Sequence, residues 1–245
     1  MLVSTRHRLA YLALPKTGTS SLEAALAPLC DIRFVGSPRV KHMTLKTFQR
    51  FILPYLRRIG VEEVETVCVV REPVDWLGSW YRYNARHAIR NTPQSTRGVS
   101  FAQFVEGWLA SPQPSYAVFG RPSRFVAGLP GQPGITHLYR YEDMPDLVGF
   151  LGDRFGAPLE LGNHKTSRTK ADLALPADLR RRLETERAEE FALYASLAPE
   201  GRTTNVDPEG RTTNVAPERT TDLAPERTTD LTPEGRPADR TPAGA

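Results

Sequence analysis

Leu14-Pro15-Lys16-Thr17-Gly18-Thr19-Ser20-Ser21 is the stretch that decides the reading of this chain. A strand expected over about Arg8 to Leu14, apolar from Leu9 onward, leads into it, and Leu22-Glu23-Ala24-Ala25-Leu26 follows. The order is strand, tight loop, first turn of a helix. Such a loop aims backbone N–H groups, hydroxyls and one ammonium at the positive end of a helix, which suits a phosphorylated ligand. The ATP-type loop places its lysine last, beside a metal-binding hydroxyl. Here Lys16 comes first and no Gly-Lys-Ser/Thr follows. That order points away from an ordinary ATPase and toward a different phosphorylated donor.

A second stretch, Thr66-Val67-Cys68-Val69-Val70-Arg71-Glu72-Pro73, works outward from the first. Thr66 to Val70 shows no alternation, as expected of a central parallel strand buried on both faces. Arg71 then emerges at the strand's C-terminal end, where open α/β sheets bind ligands. Pro73 and Asp75 favour the start of a helix, which carries Ser79 about two turns in. An arginine fork with a hydroxyl holds phosphate through charge-assisted hydrogen bonds, each worth about 1.5–3 kcal/mol.

The remaining pattern alternates strands with helices. A short extended piece is expected at Ile32 to Val35 and a strand at Ile135 to Tyr139. Helices are expected over 19–28, 44–58 (with Pro54 as a kink), 74–86, after Ser100, over 145–155 and over 177–197. This predicts an α/β fold of three layers around a mostly parallel central sheet. Residues 1–198 form the domain. Residues 199–245 form a separate tail in which Pro-Glu-Gly-Arg-Thr-Thr-Asn-Val starts at Pro199 and Pro208. Pro-Glu-Arg-Thr-Thr-Asp-Leu starts at Pro217 and Pro225, and a degraded copy at Pro233. Each unit offers one aliphatic residue, too little to offset chain ordering, so the tail is expected to be disordered.

Composition agrees with a polyanionic ligand. The tail holds six arginines and nine acids, which leaves the body with 26 basic and 19 acidic residues, a net charge of +7. No motif supports nucleic-acid binding. Two cysteines make no disulfide framework, and the five histidines form no metal-ligand cluster. No apolar run is long enough to cross a bilayer, so no membrane partner is expected.

Together the two motifs resemble the sulfotransferase family, which uses 3'-phosphoadenosine 5'-phosphosulfate (PAPS) as donor. Lys16 to Ser20 match the family's 5'-phosphosulfate loop, and Arg71 with Ser79 match its 3'-phosphate pair at the family's spacing. Leu138-Tyr139-Arg140-Tyr141-Glu142-Asp143-Met144 is similar to its late strand. The likeness spans roughly Arg8 to Leu197 and is nearest the carbohydrate-type and bacterial branches. It implies a P-loop-type fold, with Thr17, Gly18, Thr19 and Ser20 holding the 5'-phosphate and Lys16 stabilising the leaving oxygen. It implies PAPS as co-substrate without a metal, and a saccharide or small-molecule acceptor.

An acceptor needs a base, and His42 is the leading choice, with Glu23 as fallback. The basic run Asn163 to Lys170 resembles the family's late lid, in which Arg168 is the leading phosphate contact. The resemblance, without an anchor, also implies a soluble cytoplasmic enzyme. The alternatives are a P-loop kinase of a small molecule and a non-catalytic nucleotide-binding protein.

Overall fold

A computed structural model describes residues 1–162 and 173–197, together with the backbone of two short tail segments. Strands β1 (Leu2–Ser4), β2 (Leu9–Leu12), β3 (Ile32–Arg33), β4 (Glu65–Val70) and β5 (His137–Arg140) form one sheet in the order β3-β1-β2-β4-β5. The β2–β4 and β4–β5 ladders are parallel, whereas β1 pairs antiparallel with both β2 and β3. The antiparallel edge is the departure from the mostly parallel sheet expected. It arises because Leu2–Ser4, three residues in a hairpin with β2, is too short to show a period in the sequence.

Period-two side chains of β2 and β4 divide the core. Ala10, Leu12, Cys68 and Val70 point to one face, with Leu45, Phe48, Leu56 and Phe125. Leu9, Tyr11, Val67 and Val69 point to the other, with Leu22, Leu26, Leu147 and Leu151. Both faces of these strands are therefore covered, which explains the uninterrupted apolar run of β4.

The helices are α1 (Thr19–Leu26), α2 (Pro38–Lys41), α3 (Leu45–Thr47), α4 (Leu53–Arg58) and α5 (Pro73–Asn84), then α6 (Phe101–Leu109) and α7 (Pro122–Val126), and finally α8 (Met144–Phe155), α9 (Ala177–Glu186) and α10 (Ala188–Ala195). A third apolar cluster gathers Trp76 and Leu77 of α5, Phe104 and Trp108 of α6, and Leu179 and Leu183 of α9. Ser100 caps α6 in a reciprocal box with Gln103, fixing its start as the sequence expects. The helix expected over 44–58 is continuous but contains a π turn, Phe48–Ile52, closed by a Leu53 N–H to Phe48 carbonyl bond. Pro54 has no N–H for the carbonyl one turn back, and the wide turn absorbs that mismatch. The last helix breaks at Arg187, whose backbone leaves the helical region (φ −130°, ψ 35°).

In the tail, β6 (Thr204–Val206) pairs antiparallel with β7 (Thr212–Asn214), where the sequence reading expects no ordered element. The two strands, Thr-Asn-Val and Thr-Thr-Asn, come from overlapping parts of consecutive repeats and are rich in β-branched residues. Among the described residues no helix is long and apolar enough to cross a membrane.

Glu190 ties α10 to the rest. It is 3 % exposed, accepts from Arg121 Nε at 2.7 Å and from the Ser123 backbone N–H at 2.8 Å. Glu190→Ala takes the acceptor from Arg121 Nε and from the Ser123 N–H while Glu189 still pairs with Arg121, so it should lower unfolding stability by about 2 kcal/mol in urea titration. A change below about 0.5 kcal/mol would show that the clamp contributes nothing.

Candidate functional site

The loop after β2 turns sharply because two of its residues are left-handed. Gly18 has φ +74°, and Lys16, a residue with a side chain, has φ +71°. A non-glycine residue in that region carries strain of about 1–3 kcal/mol, a recurrent feature of functional loops. Thr17 is fully buried, and its hydroxyl donates to the Leu14 carbonyl at 2.8 Å. It therefore pins the loop from behind instead of offering its hydroxyl to a ligand. Gly18 is the N-cap of α1 and brings no side-chain acceptor, and the first turn holds no acidic residue. The positive end of the helix is left to an external anion.

Arg71 leaves the end of β4 beside this loop. Its Nη1 reaches the Lys16 carbonyl at 3.4 Å, its Nε pairs with Asp75 at 2.5 Å, and its guanidinium lies 4.3 Å from the Tyr141 ring centroid. Its Nη2 makes no hydrogen bond among the described residues. From α5, Trp76 Nε1 donates to the Pro15 carbonyl at 2.9 Å and holds the loop against the helix. Ser79, half-buried, has no hydrogen-bond partner among the described residues.

These pieces line one cavity of about 700 Å³, here called the loop cavity. Lys16, Gly18, Thr19, Ser20, Arg71, Ser79 and His42 all reach it. Lys41 and Arg86 add two further cations, and none of its lining residues is acidic among the described residues. Arg168 and the rest of the basic run from Asn163 lie outside the described residues.

His42 follows α2 and lines both the loop cavity and a second cavity of about 760 Å³. The second, aromatic cavity is walled by Trp76, Trp80, Trp108 and Phe119. The two cavities share Pro15, His42, Trp80 and Phe119, so His42 stands at their junction. Its Nδ1 lies 2.6 Å from the Ala13 carbonyl, an acceptor, so Nδ1 carries the proton and Nε2 keeps its lone pair. Burial pulls its pKa down, against the opposing pull of the Ala13 carbonyl, and Lys41 adds to the depression. Glu23, the fallback, lines neither cavity. It pairs with Lys41 at 2.5 Å, which makes it an anchor for that lysine.

The sequence reading missed the aromatic support. Lys16 Nζ sits 4.2 Å from the Tyr83 centroid and 5.8 Å from that of Trp80, and Arg86 lies 4.7 Å from Tyr83. Helical spacing held the signal, since Trp76, Ser79, Trp80 and Tyr83 form an i, i+3, i+4 stripe on α5. Tyr141, expected only to anchor the late strand, also closes over Arg71 and packs on Gly18.

No protein-family model matches this chain, and no curated protein matches it.

A Cβ at residue 18 would lie 3.2 Å from Tyr141 Cε2 and 3.4 Å from Met144 Cε, at a φ that L side chains avoid. Gly18→Ala should therefore cost about 1–2 kcal/mol and lower the melting temperature by several degrees. An unchanged melting temperature would mean that the loop does not depend on this conformation.

Proposed function

We propose that this chain is a PAPS-dependent sulfotransferase built on a P-loop-type fold. The observation that carries the reading is the loop cavity. A strained lysine, an uncapped helix N-terminus and an arginine–serine pair eight residues apart converge there, and its ionisable lining is cationic apart from His42, Tyr83 and Tyr141. A donor bearing two phosphate groups and a sulfate fits that charge. A volume of about 700 Å³ lies within the ~300–1,000 Å³ usual for ligand pockets.

PAPS supplies an activated sulfuryl group, and the chain's residues do the rest. The N–H groups of the loop and of α1, with Thr19 and Ser20, hold the 5'-phosphate. Arg71 and Ser79 hold the 3'-phosphate. Lys16 stabilises the phosphate oxygen that gains charge as its bond to sulfur breaks. The acceptor lies in the aromatic cavity, and its oxygen forms the new bond to sulfur while its proton passes to His42 Nε2. Proton removal by a positioned histidine accounts for about 10²–10⁴ in rate.

The depressed pKa of His42 fixes a sign. Burial favours the neutral imidazole, so the base stays active below the ordinary value of about 6.5. The acid limb of kcat/KM, followed by conversion of PAPS to PAP with an accepted hydroxyl compound, should fall below that pH. His42→Ala should remove the limb and lower turnover about 10²–10⁴-fold. Lys16→Gly should abolish turnover without loss of melting temperature, because glycine relieves the left-handed strain that alanine would retain. An acid limb that survives His42→Ala, or full turnover in Lys16→Gly, would remove that residue from the scheme.

A further inference from the structure

The aromatic cavity has a charge as well as a shape. Arg121, Arg124 and Arg187 line it, and among the described residues no acidic side chain does. None of the three lines the loop cavity, so they belong to the second ligand alone. They differ in how their charge is met. Arg121 is paired by Glu190 at 2.7 Å and Glu189 at 2.5 Å, one cation against two carboxylates, so it has no positive charge to spare. Arg187 has no carboxylate partner among the described residues. It donates instead to carbonyls, those of Trp108 at 3.2 Å, Leu109 at 3.4 Å and Glu186 at 2.9 Å, and its Nε finds no acceptor. Arg124 is exposed and makes no hydrogen bond or ion pair among the described residues.

Backbone placement reinforces the point. Arg187 sits at the break between α9 and α10, outside the helical region, and the break turns its guanidinium toward the C-terminal end of α6. Burial and the neighbouring cations Arg121 and Arg124 depress its pKa, against the attraction of Glu186 and Glu190. A half-buried cation opposed in this way is relieved by a bound anion.

The apolar wall sets the body of that anion. Phe119 stacks on Trp80 with centroids 5.0 Å apart and on Trp108 with centroids 6.0 Å apart, at interplanar angles of 19° and 8°. The rings brace one another, and with Trp76 and Trp108 buried it is the half-buried Trp80 and Phe119 that offer apolar surface to a ligand body.

We propose that the aromatic cavity binds a hydroxy acid with an apolar body, its anionic group held by Arg124 and Arg187 and its hydroxyl at His42. Naming this ligand an acceptor rests on the sulfuryl-transfer reading; its binding does not.

The test is calorimetric titration of the full chain with 6-hydroxy-2-naphthoate and with the neutral 6-hydroxy-2-naphthamide, beside a titration with PAP. The acid should bind about tenfold or more tightly than the amide, the effect expected of one charged hydrogen bond. Arg124→Gln, an exposed position, should leave the melting temperature unchanged and shrink that ratio to about threefold or less. Equal affinity of acid and amide, binding of neither, or a ratio unmoved by Arg124→Gln would overturn the proposal, and PAP binding in the same sample would leave the transfer reading standing. Preference for the acid without any PAP binding would sustain the anion site and sink the transfer reading.

Discussion

Parallel pairing of Tyr11 with Val67 and of Leu12 with Cys68 brings the C-terminal ends of β2 and β4 side by side. Everything in the loop cavity depends on that register. It sets the loop from Pro15 to Gly18 against Arg71, whose Nη1 faces the Lys16 carbonyl. It also brings α5 close enough for Trp76 to hold the Pro15 carbonyl. A slip of one residue would exchange the two covered faces of the slipped strand and put the side chains of one core into the packing of the other, so burial on both sides of β4 protects the site geometry. The same apolar residues that stabilise the sheet thus locate the cations.

Gathering Lys16, Lys41, Arg71 and Arg86 around one cavity is electrostatically unfavourable unless something receives their charge. The chain meets part of it with carboxylates behind the site, Asp75 on Arg71 and Glu23 on Lys41. Aromatic rings meet the remainder, Tyr83 under Lys16 and Arg86, and Tyr141 under Arg71. A cation–π contact at a partly exposed site is worth about 0.5–1 kcal/mol. A charge-assisted hydrogen bond to phosphate is worth about 1.5–3 kcal/mol. A phosphate group would therefore outcompete the rings for these cations. The second cavity repeats this design with carbonyl groups under Arg187 in place of a carboxylate.

Legibility followed locality. The strand–loop–helix at Lys16, the strand ending at Arg71 and the cap at Ser100 are each written within about ten consecutive residues, and each stands where the sequence reading put it. The three-residue β1 carries no period, so the antiparallel edge could not be read. Pro54 announced a mismatch but not its resolution as a π turn. Residues distant in sequence were the least visible. Glu190 meets Arg121 across 69 positions, and the aromatic cavity draws its walls from segments as far apart as Leu14 and Arg187. Lys41 as the partner of Glu23 follows from how α2 folds back, which no spacing rule encodes.

The central claim is that the loop cavity selects a 3',5'-bisphosphorylated nucleotide. Its most direct test is calorimetric titration of the full chain with PAP, run beside ADP with magnesium. The arginine–serine pair calls for PAP binding about tenfold or more tighter than ADP, since ADP has no 3'-phosphate for Arg71 and Ser79 and that charge-assisted contact is worth at least about 1.5 kcal/mol. Tighter binding of ADP with magnesium, and indifference to PAP, would contradict the account and turn the site into that of a nucleoside-triphosphate enzyme.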